Sequence, residues 1–188
     1  MNPFPAFLKL RDRSVLLVGG GRVAAGKLAS LLEAGARVTV VAPRISVALR
    51  QPGVVLICRP FDPVHLEGRW FVVSAAPPAV NRQVAFAAEA RRVFVNAADD
   101  VKAASAYLGS VVRSGGVTFA ISTGGRAPAL AALLREALQA LLPEEIADWM
   151  ATAERLRAQW RAEGVPMAAR RPLLLRALDE LYSARSVA

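Results

Sequence analysis

The sequence predicts an α/β fold, a doubly wound parallel sheet followed by a smaller helix-rich remainder, and three observations predict it. Five short Val-rich runs fall in the first hundred residues. Helical patterns or brief connections separate them, and a dense glycine turn joins the first run to the first helix. Buried β-rich runs that each lead into a helix or a short link are the mark of parallel strands covered on both faces.

The elements follow in order. SVLLVGG (14–20) is a compact strand ending in glycines, and AAGKLASLLEAG (24–35) continues as a helix. Its Leu28, Leu31 and Leu32 repeat at i, i+3 and i+4, and Gly35 supplies the stop. ARVTVVAP (36–43) is the second strand, closed by Pro43, and GVVLICR (53–59) is the third. RWFVVSAA (69–76) is the fourth, with a helix over AVNRQVAFAAEARR (79–92), and VFVNAA (93–98) is the fifth. The pattern changes after about residue 113. SGG (114–116) turns into VTFAIST (117–123), and GGRAPALAALLREALQALLP (124–143) reads as one strong helix with Pro128 near its start and Pro143 as its stop. The remainder forms amphipathic helices parted near Gly164-Val165-Pro166. Such segments are too small for cores of their own, so they are expected to pack on the first domain or on a second subunit. The expected division is 1–113, 114–145 and 146–188.

Composition excludes several classes. A hydrophobic fraction of 54% in 188 residues argues against disorder. No apolar run approaches the ~18 residues that span a bilayer. The opening MNPFPAFLKLRDRS lacks the order of a signal peptide, and the single Cys58 allows no intrachain disulfide. A cytoplasmic protein is expected. The net charge of +9 has three readings: nucleic acid, an anionic small molecule, or a coding bias toward Arg and Ala. Scattered arginines without interleaved exposed aromatics speak against nucleic acid.

Gly19-Gly20-Gly21-Arg22-Val23-Ala24 has the form G-x-G-x-x-A, and it directly follows a strand and opens a helix. Gly19 permits the tight turn, Gly21 leaves room for a pyrophosphate, and Ala24 lets helix and strand pack closely. These features point to a Rossmann-type dinucleotide site, and a tight strand-to-helix turn with no ligand is the other reading. The acid usual at the end of the second strand is missing, where Val41-Ala42-Pro43-Arg44 stands instead. The residues alone therefore leave NAD and NADP both open. At the end of the fifth strand, Asn96-Ala97-Ala98-Asp99-Asp100 places acids where ligands bind in such sheets. A carboxylate there can serve as a general base or a metal ligand, or can cap the segment from Val101.

The stretches F-L-K-L-R-D-R-S-V-L-L-V-G-G-G-R-V-A, L-L-E-A-G-A-R-V-T-V-V-A-P, N-A-A-D-D-V-K-A-A-S and I-S-T-G-G-R-A-P-A-L-A-A-L-L-R-E together resemble the precorrin-2 dehydrogenase family. That family includes the N-terminal module of sirohaem synthases, and the resemblance runs over residues 4 to 145. It implies NAD-dependent two-electron oxidation of precorrin-2 to sirohydrochlorin, with Asp99 as the catalytic residue. Arg22, Val23, Pro43 and Arg44 match the family's NAD-contacting positions, beside Gly19, Gly21 and Ala24 of the turn. The missing acid is ordinary for the family, which favours NAD. Asn96 and the loop Thr123-Gly124-Gly125-Arg126 fall to the tetrapyrrole, and residues 114–145 to an interlocked homodimer. Physics supports the loop independently, because glycines before a helix offer free N–H groups to an anion and Arg126 adds a charged donor. Simple helix capping is the other reading of that loop.

The chain departs from the family after the fourth strand, where Ala75-Ala76-Pro77-Pro78 replaces a Thr and acids. Contacts from that loop to the nicotinamide are not carried over. The lone His65 reads as a surface imidazole, and no Cys/His cluster points to a resident metal. Metal insertion varies within the family, and no methyltransferase module is expected within these residues. A non-catalytic NAD-sensing or tetrapyrrole-carrier protein on the same fold is the alternative function.

Overall fold

The computed structural model of the chain describes residues 3–98 and 100–185, with side chains of the last helix followed as far as Tyr182. Five strands, β1 (Ser14–Val18), β2 (Arg37–Val41), β3 (Val55–Ile57), β4 (Phe71–Ser74) and β5 (Phe94–Ala97), pair in parallel in the order β3-β2-β1-β4-β5. The order reverses beside β1, the strand that ends in the glycine turn, which opens a crevice there.

Alternation along each strand explains the two faces of the sheet. Val15, Leu17, Val38, Val40, Phe71 and Val73 pack with Leu28 and Leu31 of helix α1 (Arg22–Glu33). Leu16, Val18, Val41, Val72, Val95 and Ala97 pack with Val84, Ala87 and Ala88 of helix α2 (Pro78–Glu89). Each of these larger buried side chains contributes about 1.5–3 kcal/mol by leaving water. Single 3-10 turns, at Val47–Leu49 and Pro63–Leu66, make the other two crossovers. They send Leu49 into the first face and Leu66 into the second.

His65 lies in the second of these turns and corrects the expectation of a surface imidazole: it is 5% exposed. The Asp62 N–H donates to its Nδ1 at 3.0 Å, and Arg59 Nε lies 3.1 Å from its Nε2. Next to it, Arg69 donates through Nη1 to Ser14 Oγ and Thr39 Oγ1, and through Nε to the His65 carbonyl. This half-buried guanidinium staples the start of β1 and the middle of β2 to the turn, and burial lowers its pKa from the ordinary value.

The chain divides into two compact units, residues 1–108 with 122–128, and residues 109–121 with 129–188. This differs from the division expected at 113 and 145. The second unit begins with an antiparallel hairpin of β6 (Ser110–Ser114) and β7 (Val117–Ile121), so its first strand lies partly before residue 113. Gly115 and Gly116, with φ of 54° and 82°, form the two-residue turn that such a hairpin favours. A Cβ on Gly115 would collide with the backbone of Ala147. Helix α3 spans Pro128–Leu141, four residues shorter at its start than the helix expected from Gly124, because Gly124 and Gly125 take positive φ. Helices α4 (Ile146–Ala162) and α5 (Met167–Arg185) follow, with Trp149 edge-on to Tyr182 at 6.3 Å between centroids.

Candidate functional site

The glycine turn is held by strand ends on either side of it. Gly19 N–H donates to the Val41 carbonyl at 2.9 Å, and Ser46 N–H donates to the Gly20 carbonyl at 2.9 Å. Gly19 has φ 129°, and a Cβ there would run into the Ala75 carbonyl. A Cβ on Gly20 would strike the Arg44 carbonyl. Gly21 is different, for a Cβ there meets nothing within 4 Å. Open space therefore lies over the start of α1, whose first turn holds no acid and whose N-cap, Gly21, makes no side-chain cap. The first N–H groups of a helix lack acceptors within the helix. An anion such as a pyrophosphate fits this cradle in both shape and charge.

Around it stand the positions expected to contact the dinucleotide. Arg22, Val23, Pro43 and Arg44 are exposed at the ends of β1 and β2, and Ala24 is fully buried in the core beneath them. The ladder then carries the edge of the sheet across. Val41, Val18, Ser74 and Ala97 stand side by side in register. At roughly 4.8 Å between strands, the end of β5 lies on the order of 15 Å from that of β2.

Asp99 lies outside the described residues. Ala98 N–H donates to the Ser74 carbonyl at 2.8 Å, and the Ala98 carbonyl accepts from Asn81 Nδ2 at 3.3 Å. The capping role left open for the acid pair is taken by Asp100, whose Oδ1 accepts the Ala103 N–H at 3.1 Å. Asn96 is 7% exposed and points away from the α2 face. Its Nδ2 donates to the Ala106 carbonyl at 3.0 Å, and its Oδ1 has no partner among the described residues. A buried carbonyl oxygen without a donor costs on the order of 1–3 kcal/mol, so a ligand N–H supplied here would be rewarded.

The loop 122–127 comes to the same unit. Thr123 Oγ1 accepts the Ala127 N–H at 3.2 Å, and Ser122 Oγ accepts the Gly124 N–H at 3.1 Å. Capping thus occupies the Thr123 hydroxyl as an acceptor. Gly125 is pressed onto the segment that follows Asp100, since a Cβ there would come within 2.7 Å of Val101 Cγ2 and 3.6 Å of the Tyr107 ring. Arg126 is exposed. An open cavity of about 290 Å³ nearby is lined by Arg82, Ala85, Asp100, Lys102 and Ala103. Two groups of expected site residues therefore emerge, a dinucleotide group at the ends of β1 and β2 and an Asn96, Thr123–Arg126 group around the end of β5.

Pattern reading passed over Asn81, a buried amide that ties the loop after β4 to the end of β5. Asn81 Oδ1 accepts from Ser74 Oγ at 2.6 Å and from Ala76 N–H at 3.2 Å. The signal was present: Asn81, Val84 and Ala88 are all buried on one stripe of α2, and only Asn81 is polar. Among the described residues no group of three or more His, Cys, Asp or Glu could hold a metal ion, and no helix is long and apolar enough to cross a membrane.

Comparison with known proteins adds the following. The profile of an NAD(P)-binding family matches residues 6–110, and that of the sirohaem biosynthesis protein central domain matches residues 115–141. Siroheme synthases of Salmonella typhi and Citrobacter koseri are 41% and 42% identical over 176 residues, covering 91% of this chain. The chain spans 38% of the length of those relatives. The solved structure of SirC, a precorrin-2 dehydrogenase, superposes with a TM-score of 0.76 at 26% identity, over 96% of this chain and 92% of that one.

Proposed function

Because the chain belongs to the family of precorrin-2 dehydrogenases and the matching modules of sirohaem synthases, we propose that it oxidises precorrin-2 to sirohydrochlorin with NAD, in the cytoplasm and as a homodimer. One observation carries the reading. A cradle open to a pyrophosphate at Gly21 and an orphaned buried acceptor at Asn96 lie along the same edge of one sheet.

When bound, NAD supplies the hydride acceptor of the reaction. The N–H groups at the start of α1 would hold its pyrophosphate, with Arg22, Val23, Pro43 and Arg44 as its further contacts. Precorrin-2 loses a hydride and a proton, two electrons in all, so the protein must accept one proton for each NADH made. Asp99 is the acceptor, and it passes the proton on to water. Asn96 Oδ1 receives an N–H of the macrocycle, and the Gly125 N–H and Arg126 pair with its peripheral carboxylates, while Gly124 shapes the loop through its bond to Ser122.

The homodimer rests on α3. Leu130, Leu133, Leu134 and Leu141 are all exposed on it, repeating at helical spacing. A row of uncovered leucines is the kind of face a second subunit buries.

An anaerobic assay of precorrin-2 with NAD tests the proposal, following NADH and sirohydrochlorin together. Equal amounts of both are expected. Folded protein that makes neither, but binds sirohydrochlorin, is a carrier or sensor instead. Asp99→Ala is expected to abolish turnover and leave NAD affinity nearly intact; substantial remaining turnover removes Asp99 from its role.

A further inference from the structure

The dehydrogenase reading makes Asp99 the proton acceptor, and the residue before it in the chain, Ala98, is held by two hydrogen bonds. Ala98 is tied at both ends, by its N–H to Ser74 and by its carbonyl to Asn81. Asn81 is 1% exposed and Ser74 is 0% exposed, and Ala98 itself is half-buried. The Asn81 amide is almost fully used: its oxygen accepts from Ser74 Oγ and Ala76 N–H, and its nitrogen donates to Ala98.

A leucine would pack on the same stripe of α2 without any polar group to satisfy. Burying an amide there is costly unless each of its bonds is made, so its place calls for something beyond packing. What it joins supplies that reason. Gly19 of the dinucleotide turn lies tight against the Ala75 carbonyl, and the next residue, Ala76, is bound by Asn81. The same side chain holds Ala98. A single buried amide thus links the loop that backs the glycine turn to the peptide that leads into Asp99.

We propose that Asn81 is a positioning residue for the dehydrogenation, anchoring the Ala98 peptide, which precedes Asp99 in the chain, to the loop that backs the dinucleotide turn. The proposal rests on the dehydrogenase reading. Asn81 itself touches neither substrate nor cofactor.

Two variants of the full chain separate its functions. Asn81→Asp keeps an oxygen for Ser74 and Ala76 but, when ionised, has no donor for Ala98. Ser74→Ala removes a donor to Asn81 and leaves the bond to Ala98 intact. For Asn81→Asp near pH 8 we expect kcat to fall about 10- to 100-fold, the scale of loss from a slightly misplaced group. NAD Kd and the KM for precorrin-2 should stay within about 3-fold, since binding is not what the bond serves. Lowering the pH should return part of the lost kcat, relative to wild type, as the buried carboxyl gains a proton and can donate to Ala98 again. Ser74→Ala should keep kcat within about 3-fold of wild type.

Hydrogen exchange provides a readout without turnover. Amides of residues 98–104 should exchange faster in Asn81→Asp, and those of β1 and β2 should not change. If Asn81→Asp does not fold, Asn81→Ser, too short to reach Ala98, carries the same expectations for kcat and exchange. Wild-type kcat and pH profile in the variant overturn the proposal. So does a loss of kcat, KM and Kd together with faster exchange throughout, which would mark a purely structural role. A wild-type protein with no turnover overturns the dehydrogenase reading instead, and the exchange comparison then decides alone whether Asn81 holds the segment.

Discussion

Gly20 and Gly21 are neighbours with opposite surroundings, and alanine at each separates the fold from the ligand. At Gly20 the new methyl meets the Arg44 carbonyl, so the loop after β2 must shift. Gly20→Ala is expected to lose both stability, by about 1–3 kcal/mol, and NAD affinity. At Gly21 the methyl enters open space. Gly21→Ala should therefore unfold at nearly the wild-type urea concentration yet bind NAD at least about 10-fold more weakly, because the methyl would stand in the proposed path of the pyrophosphate. Calorimetric titration beside urea unfolding reads both, and wild-type affinity in Gly21→Ala would move the cofactor off this turn. His65 makes a different prediction. Burial first, then the nearby Arg59, lowers its pKa from 6.5, with Arg69 adding to the effect against the pull of Asp62. As pH falls through 6.5 the unfolded chain takes up a proton that the folded chain refuses, so stability declines. The decline levels off only below the folded pKa. His65→Gln should show a flatter change in urea midpoint between about pH 7.5 and 5.5 than wild type, and an equal slope would clear His65 of the effect.

Elements were legible where a local pattern decides them. Each of the five parallel strands lay within the Val-rich run expected for it, and β1, β2 and β4 are buried on both faces. Strand β6 was not read, because SVVRS has two adjacent apolar residues between polar ends and pairs only through its hairpin partner. Asn81 escaped for a related reason: its three partners come from residues 74, 76 and 98, and no period in the sequence links them. The dinucleotide turn was legible because its demands are local to one strand and one helix. For α3, the proposed dimer predicts that Leu134→Arg on the exposed row yields monomers by sedimentation, with the fold of the first unit kept. A dimer that persists would place the interface elsewhere.

Charge belongs to the scale of the whole molecule, since arginines scattered along the chain act together or not at all. A net charge of +9 draws a polycarboxylate toward the protein from a distance that salt shortens. The Debye length falls from about 10 Å at 0.1 M to about 3 Å at 1 M salt. Steady-state kinetics across this range should show kcat/KM for precorrin-2 falling several-fold with kcat steady. A flat response would assign the charge to coding bias, a distinction that composition alone leaves open. The strand order and the two-unit division also belong to this scale, and neither has a local signature.

The chain passes from the first unit to the second at residue 108, returns for residues 122–128, and leaves again. No single cut can release the first unit whole. A gene truncated at codon 113, where the composition changes, would encode the five-stranded sheet and the glycine turn but not Thr123 to Arg126. Such a fragment would keep its dinucleotide cradle and lose the loop that rests on Val101 and Tyr107. Anyone grafting the first unit into a fusion protein should treat residues 1–128 as one inseparable cassette.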